Sequence, residues 1–212
     1  MSLIISKTKD IISSPYVVWL VLAWPSLPLI WDLYENNRYY AEIMHLTGVL
    51  SVQLLVVTLA VSPISLLLRR WETGKHIGLW VIKNRRYFGV AGFAYGLLHL
   101  IFYIRETYSL YVIYLEFFDI AIFFGWLGFI FLLPAFLTSN AYSVRHLGVQ
   151  WKRLQRLSYL AIVAIFIHWI YFDFFWDEVL TWMVILGVAK TIHIVLKNTK
   201  NVFAQRGQPI MK

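Results

Sequence analysis

The chain has 212 residues, of which 60% are hydrophobic and 14% are charged, and its mean hydropathy is +0.66. A water-soluble domain of this length needs more charged residues to cover its surface. The chain contains no cysteine, which excludes disulfides, iron–sulfur ligation and thiolate zinc sites. The composition therefore predicts a membrane protein whose sites are built without thiols.

The apolar residues come in blocks long enough to cross ~30 Å of hydrocarbon, which takes about 20 residues. Six spans are predicted in chain order, at roughly 15–31, 43–68, 87–104, 115–137, 157–175 and 179–196. Pro25 and Pro28 are expected to kink the first span, because each proline removes a backbone donor. With no soluble domain between the spans, residues 1–212 are predicted to form one all-α bundle of six transmembrane helices.

The basic residues predict how this bundle is oriented. Segments 1–14, 69–86, 139–156 and 197–212 hold sixteen of the nineteen Lys and Arg residues, and nine of the eleven acidic residues lie at or near the other face. The positive-inside rule therefore places both termini in the cytoplasm. The net charge of +8 then belongs to the inner face, where it meets anionic lipid, and does not indicate nucleic-acid binding.

Two of the six histidines are predicted to lie deep in the membrane at one level. His99 lies thirteen residues after Arg86, and His168 lies thirteen residues after Gln155. At ~1.5 Å per residue, both are ~20 Å above the cytoplasmic interface, since both helices run outward. A six-coordinate haem iron takes two such imidazoles from neighbouring helices. Zinc would need further ligands, and no carboxylate lies at that depth on these spans.

A run of glycines and a competing structural interpretation both bear on this pair. Gly89, Gly92 and Gly96 precede His99 and are expected to let a flat macrocycle approach closely. In the competing structural reading, each histidine simply forms a hydrogen bond with a backbone carbonyl or a neighbouring helix. An intramembrane histidine is costly, however, and two at matched depth favour a functional role.

Several short motifs resemble those of a known family, in the family's order. They are His45-Leu-Thr-Gly48, Ser62-Pro63, Arg85-Arg-Tyr-Phe-Gly89, Leu98-His99, Leu137-Thr-Ser139, Arg145-His-Leu-Gly148, Trp151-Lys-Arg-Leu154, Tyr159-Leu160 and His168-Trp169. The chain resembles the MsrQ (YedZ) haem-binding membrane subunits of the protein-methionine-sulfoxide reductase system, within the ferric-reductase-like transmembrane superfamily. The resemblance covers nearly the whole of residues 42–170.

The resemblance implies a multi-pass protein of the bacterial inner membrane that carries haem b on His99 and His168. It implies electron transfer outward to a periplasmic molybdenum enzyme, from quinol or from a cytoplasmic flavin reductase with FMN. The chain would then be the electron-transfer subunit of an oxidoreductase and would hold no catalytic residue of its own. Quinone is a second candidate ligand.

An inner haem is in doubt on the same comparison. Superfamily members with two haems often place a second histidine thirteen residues before each outer ligand, where this chain has Arg86 and Gln155. Neither side chain is a usual haem ligand. His193, near the inner end of the last span, is the better of two replacement candidates, and His146 is the other. The competing reading of both is an ordinary interfacial or loop histidine.

Four more residues are candidate cofactor contacts. His45 could bind a haem propionate, a quinone or a partner, and Arg105 could pair with outer propionates, as Arg86 and Arg156 could inside. Basic residues at helix ends also snorkel to lipid headgroups. Two other classes of function stay open: a structural subunit of a larger membrane complex with one haem or none, and a transporter, which is disfavoured because the spans show no obvious repeated halves.

Overall fold

The computed structural model describes residues 14–35, 40–172 and 176–206, and no strand occurs within these ranges. The all-α prediction is therefore confirmed for this part of the chain. Segments 1–13 and 207–212, which bear on the cytoplasmic placement of the termini, lie outside the described residues, as does Arg38. The helices are α1 (Pro15–Ala23), α2 (Ser26–Glu35), α3 (Tyr40–Leu68), α4 (Glu72–Thr107), α5 (Leu110–Glu116), α6 (Ile120–Leu137), α7 (Ala141–Leu147), α8 (Val149–Phe172) and α9 (Trp176–Arg206).

Five of the described helices are long and apolar enough to cross a membrane. They are Ala41–Leu68 in α3, the whole of α4, α6 and α8, and Trp176–Asn198 in α9. These five correspond to the second to sixth predicted spans. The chain is a multi-pass membrane protein with five candidate spanning helices among its described residues.

The predicted first span is divided into two short helices instead of one kinked helix. The chain turns at Trp24 and Pro25, where the Trp24 amide still donates to Leu20 O at 2.9 Å and the Ser26 hydroxyl donates to Ala23 O at 2.6 Å. Pro28 does not kink α2, because it lies in the first turn, where a backbone N–H has no helical partner. The six-span count is therefore not confirmed.

The other span boundaries differ from the prediction for local reasons. The fourth span begins at Ile120 instead of residue 115, because the Asp119 carboxylate caps α6 by accepting from the amides of Ala121 (2.8 Å) and Ile122 (3.3 Å). The short helix α5 precedes this cap. The predicted third span, 87–104, is only the C-terminal part of α4. This helix is ~54 Å long at 36 residues and also includes the basic segment from residue 72 onward.

The membrane-spanning helices pack as two antiparallel pairs, α3 with α4 and α6 with α8, and α9 lies against α3 and α8. Their shared core is apolar and includes Val56, Leu59, Phe93, Leu132 and Ile162. The candidate histidines lie outward of this core, at the level where the two pairs face each other.

Candidate functional site

The imidazole rings of His99 on α4 and His168 on α8 are neighbours inside the bundle. Their centroids are 6.1 Å apart, and the ring planes are inclined at 82°. Depth counting along two separate helices predicted this level for both residues, and the packing of the two helix pairs brings the side chains together. The arrangement brings two imidazole side chains from different helix pairs next to each other.

Each ring is held by a backbone carbonyl of the preceding membrane helix. His99 Nδ1 lies 2.7 Å from Met44 O on α3, and His168 Nδ1 lies 2.7 Å from Ala121 O on α6. A carbonyl oxygen only accepts, so Nδ1 carries the proton in both rings and the Nε2 lone pair is left free. The structural reading of a carbonyl-bonded histidine is thus correct for Nδ1. It also prepares Nε2 as a metal donor.

Two glycines make room for these rings. Gly48 follows Met44 by one helical turn, and Gly125 follows Ala121 by one turn. A Cβ built on either glycine would lie 2.9 Å from Nδ1 of the facing ring. Ordinary contacts between such atoms need about 3.5 Å. Both rings can therefore lie flat against the neighbouring helix only because these two positions lack a side chain.

The two halves of the site repeat one arrangement. In each pair, the first helix supplies a carbonyl and a glycine one turn later, and the second helix supplies the histidine. This local arrangement is repeated although the spans show no obvious repeated halves in sequence. The repeat accounts for the equal depth of the rings, because the same packing is used on both sides.

The glycines that precede His99 have a different role from the one predicted. Gly89, Gly92 and Gly96 face side chains of α3, with the nearest atoms 3.0–3.3 Å from a built Cβ. They allow α4 to pack closely on α3, and only Gly96 also lines the cavity described next.

The rings border a cavity of about 300 Å³ between the two helix pairs. Its wall is mainly apolar and aromatic, with Trp126, Phe129, Trp169 and Phe172 contributing rings. This size is at the lower end of the range for ligand pockets in proteins. A second cavity, of about 560 Å³, adjoins it on the outer side and shares Tyr103 and Phe172 with it.

The second cavity, here called the outer cavity, is lined by carboxylates, and the cavity bordered by the two rings is here called the inner cavity. Glu106, Glu116 and Asp119 border it, and the Tyr103 hydroxyl donates to Glu116 Oε2 at 2.7 Å. Among residues 40–172, three carboxylates therefore lie beside the inner cavity, on the side away from the basic helix ends.

The geometry of the ring pair fits axial ligation of one haem iron. An imidazole nitrogen binds a transition metal at about 2.0–2.1 Å, and the centroid of a ring with bonds of about 1.35 Å lies about 1.1 Å behind that nitrogen. Two rings that bind one iron from opposite sides would thus have centroids about 6.2–6.4 Å apart, and the observed separation of 6.1 Å is close to the lower end of this range. A zinc site fits less well, since no cluster of three His, Cys, Asp or Glu side chains that could hold a metal occurs in the described ranges.

The remaining candidate contacts lie in different surroundings. His45 lines the inner cavity, and Arg105 is exposed near the outer end of α4. Arg86 and Arg156 are exposed, and each lies more than three helical turns before the histidine of its own helix. His193 is partly buried on α9, and its Nδ1 has no hydrogen-bond partner among the described residues.

Relatives of the chain carry a haem-binding name. It is 29% identical over 174 residues to the "Protein-methionine-sulfoxide reductase heme-binding subunit MsrQ" of Brucella anthropi, which covers 77% of this chain and 74% of that protein. The identity is also 29% over 163 residues to the protein of the same name from Rhizobium meliloti, covering 71% and 70%. No family model matches the chain, and no solved structure does. The resemblance carried by the motifs is confirmed by these relatives.

Proposed function

We propose that this chain, an MsrQ-type membrane protein by its relatives, is a haem b electron-transfer subunit that relays single electrons to an extracytoplasmic acceptor. The observation that carries the proposal is the pair of facing imidazoles, His99 and His168, whose centroid separation of 6.1 Å matches two axial ligands on one iron. Haem would supply the one-electron chemistry, and the chain would supply ligands, environment and docking surfaces.

The surroundings of the ligands suit this role. Hydrogen bonds from Nδ1 to Met44 O and Ala121 O hold the ring orientations and raise the basicity of Nε2. The aromatic wall would keep water from a bound haem, and burial of this kind is one determinant of haem potential. With both histidines holding the iron, no position would be left for a substrate, which favours electron transfer over substrate chemistry.

The best candidate for a propionate contact is His45. Apart from the two proposed ligands, it is the basic side chain among the described residues that line the inner cavity. Arg105 is the second candidate, because its neighbours Glu106 and Thr107 line the adjoining cavity. A quinone carbonyl is the alternative partner for His45. Arg86 and Arg156 would meet only a cofactor at the cytoplasmic side.

The direction of electron flow is proposed from the relatives and from the charge pattern. The relatives' name places them in the protein-methionine-sulfoxide reductase system. The family resemblance stated for the motifs implies a periplasmic molybdenum enzyme as the acceptor, and quinol or a cytoplasmic flavin reductase as the donor. The basic helix ends favour an orientation with the ring pair in the outer half of the membrane, and the family resemblance implies that this membrane is the bacterial inner membrane.

A second candidate function is that of a structural subunit in a larger membrane complex. It is favoured by Gln155, which replaces an expected ligand and bonds instead to Ala135 O at 2.9 Å. A structural subunit should keep its activity in the complex when His99 or His168 is replaced. An electron-transfer subunit should not.

The test is a haem count. The chain is expressed with adequate haem supply and purified in mild detergent, and its reduced-minus-oxidised spectrum and pyridine haemochrome are recorded. We expect b-type haem that is lost in His99→Ala and in His168→Ala but retained in His146→Ala, whose ring lies exposed on α7 and stacks on Tyr142. Absence of haem from the unmodified chain would refute the proposal and favour the structural subunit.

A further inference from the structure

The inner half of the bundle is built differently from the outer half. Arg86 and Gln155 lie at the level where superfamily members with two haems, by the resemblance above, hold their inner ligands. The Gln155 amide donates to Ala135 O of α6 at 2.9 Å and to Oγ1 of Thr138, the residue that follows α6, at 3.1 Å. Arg86 is exposed. Arginine and an amide that is already hydrogen-bonded are poor ligands for iron, so these two positions do not fit an inner haem.

Neighbouring polar side chains at this level also form hydrogen bonds with backbone carbonyls of adjacent segments. Arg85 donates from Nε to Thr58 O at 3.0 Å and, more weakly, from its guanidinium to Ser62 Oγ at 3.4 Å. The Trp151 indole donates to Thr138 O at 2.9 Å. Polar groups inside a membrane must be satisfied internally, and here they are satisfied within each helix pair.

Packed rings fill the space between the two helix pairs inward of the histidines. Phe93 on α4, which is 3% exposed, stacks on Phe129 of α6 with centroids 5.2 Å apart and on Phe136 of α6 at 4.1 Å. Phe93 lies seven residues after Arg86, which puts it ~10 Å outward of that level. Phe136 lies only two residues from Thr138, the partner of Gln155. The stack therefore reaches from Phe129 in the wall of the histidine cavity to the level of Gln155.

Lys190 on α9 forms hydrogen bonds with two other helices of the bundle. Lys190 donates to Leu59 O on α3 at 2.9 Å and to the Tyr159 hydroxyl on α8 at 2.8 Å. An ammonium group at membrane depth is costly unless it is paired in this way. Because Leu59 belongs to the apolar core that contains Phe93, the lysine draws three helices onto that core.

The two replacement histidines do not restore a ligand pair. His146 stacks on Tyr142 at 3.8 Å, and its Nδ1 lies 3.0 Å from Tyr142 O, within its own short helix. His193 offers a single imidazole on α9, and no ring contact to another histidine is found for it among the described residues. At most one ligand would come from this side.

We infer that the inner half of this bundle is closed to a second haem, so that the chain holds one haem and electrons both enter and leave through the outer half. The inference rests on the proposed haem at His99 and His168. The ring level lies ~20 Å from the cytoplasmic interface, across packed phenylalanine and aliphatic side chains that hold no redox group. An electron from a cytoplasmic flavin would therefore have to cross this packed layer without an intermediate redox group.

The first test is stoichiometry in the full chain. We expect one haem per chain, retained in His193→Ala and in Gln155→Ala and lost in His99→Ala. Two haems, or a haem lost in His193→Ala, would overturn the closed inner half while leaving an outer haem intact. No haem at all would remove the proposed function itself, so the two failures are distinguishable.

The second test is the sidedness of reduction. Haem reduction by dithionite, a membrane-impermeant one-electron reductant, is followed by stopped flow in right-side-out and in inverted membrane vesicles. Reduction should be faster from the outer side by more than about tenfold, because the ring level is ~10 Å from that interface and ~20 Å from the other. Addition of detergent gives the total haem in each sample as the control. Equal rates, or a faster rate from the cytoplasmic side, would overturn the inference.

Discussion

Replacing Gly125 by alanine should displace one haem ligand without removing it. A Cβ at this position would lie 2.9 Å from His168 Nδ1, 3.1 Å from Cε1 and 3.4 Å from Cγ. Relief to an ordinary contact of about 3.5 Å moves the ring by ~0.5 Å or more. That motion stretches the 2.7 Å bond to Ala121 O and turns Nε2 away from the iron. Overpacking of this kind costs about 1–3 kcal/mol, and loss of an outer hydrogen bond to a metal-bound histidine lowers metal affinity by about 10–100-fold.

The assay is haem occupancy after purification, from the ratio of Soret to protein absorbance, together with the rate of haem loss to an excess of apomyoglobin. Gly48→Ala should behave as Gly125→Ala does, because the same 2.9 Å contact recurs at His99 Nδ1. Gly187→Ala on α9 is the matched control, since a Cβ there meets nothing within 4 Å. Full occupancy with an unchanged spectrum in both Gly48→Ala and Gly125→Ala would refute the role given to the two glycines.

Three further changes test separate parts of the site. Thr47→Val removes a hydroxyl that donates to Met44 O at 2.8 Å, so that carbonyl should accept more strongly from His99. We therefore expect a lower midpoint potential of the haem in a spectroelectrochemical titration, and a raised potential would contradict this. Tyr159→Phe takes one acceptor from Lys190 and should lower stability by about 1–3 kcal/mol in thermal unfolding in detergent, with the haem spectrum retained; an unchanged midpoint would show that the lysine tie is dispensable. His45→Leu should speed haem loss by roughly fivefold, a modest effect because the side chain is exposed, and no change would favour Arg105 as the propionate contact.

Sequence alone predicted the shared level of His99 and His168 better than it predicted the first helix. The level of His99 and His168 follows from counting residues along regular helices, which is robust once the interfaces are known. The division of the first span at Pro25 depends on whether a proline kinks a helix or ends it. That choice is made by local hydrogen bonds, such as the one from Ser26 to Ala23 O, which composition does not reveal.

The role of Gly48 and Gly125 was the main feature that the sequence did not predict, although part of it could have been predicted. Gly125 lies five residues after Ile120, and Gly48 lies five residues after Ile43, so both are at one depth if α6 starts after the Asp119 cap. An aspartate before an apolar run is a recognised helix-start signal. The stack of Phe93 on Phe136 could not be foreseen in the same way, because it depends on the relative rotation of α4 and α6.

The repeated arrangement of carbonyl, glycine and histidine has a consequence for assembly. Each helix pair is local in sequence and can form as a hairpin within the lipid, but each carries only half of the proposed haem site. Haem would bridge the seam between the hairpins and bind only after they have docked, so its binding free energy adds directly to the stability of the docked state. Cells short of haem should therefore accumulate inserted but undocked hairpins, which quality-control proteases can remove before the bundle matures.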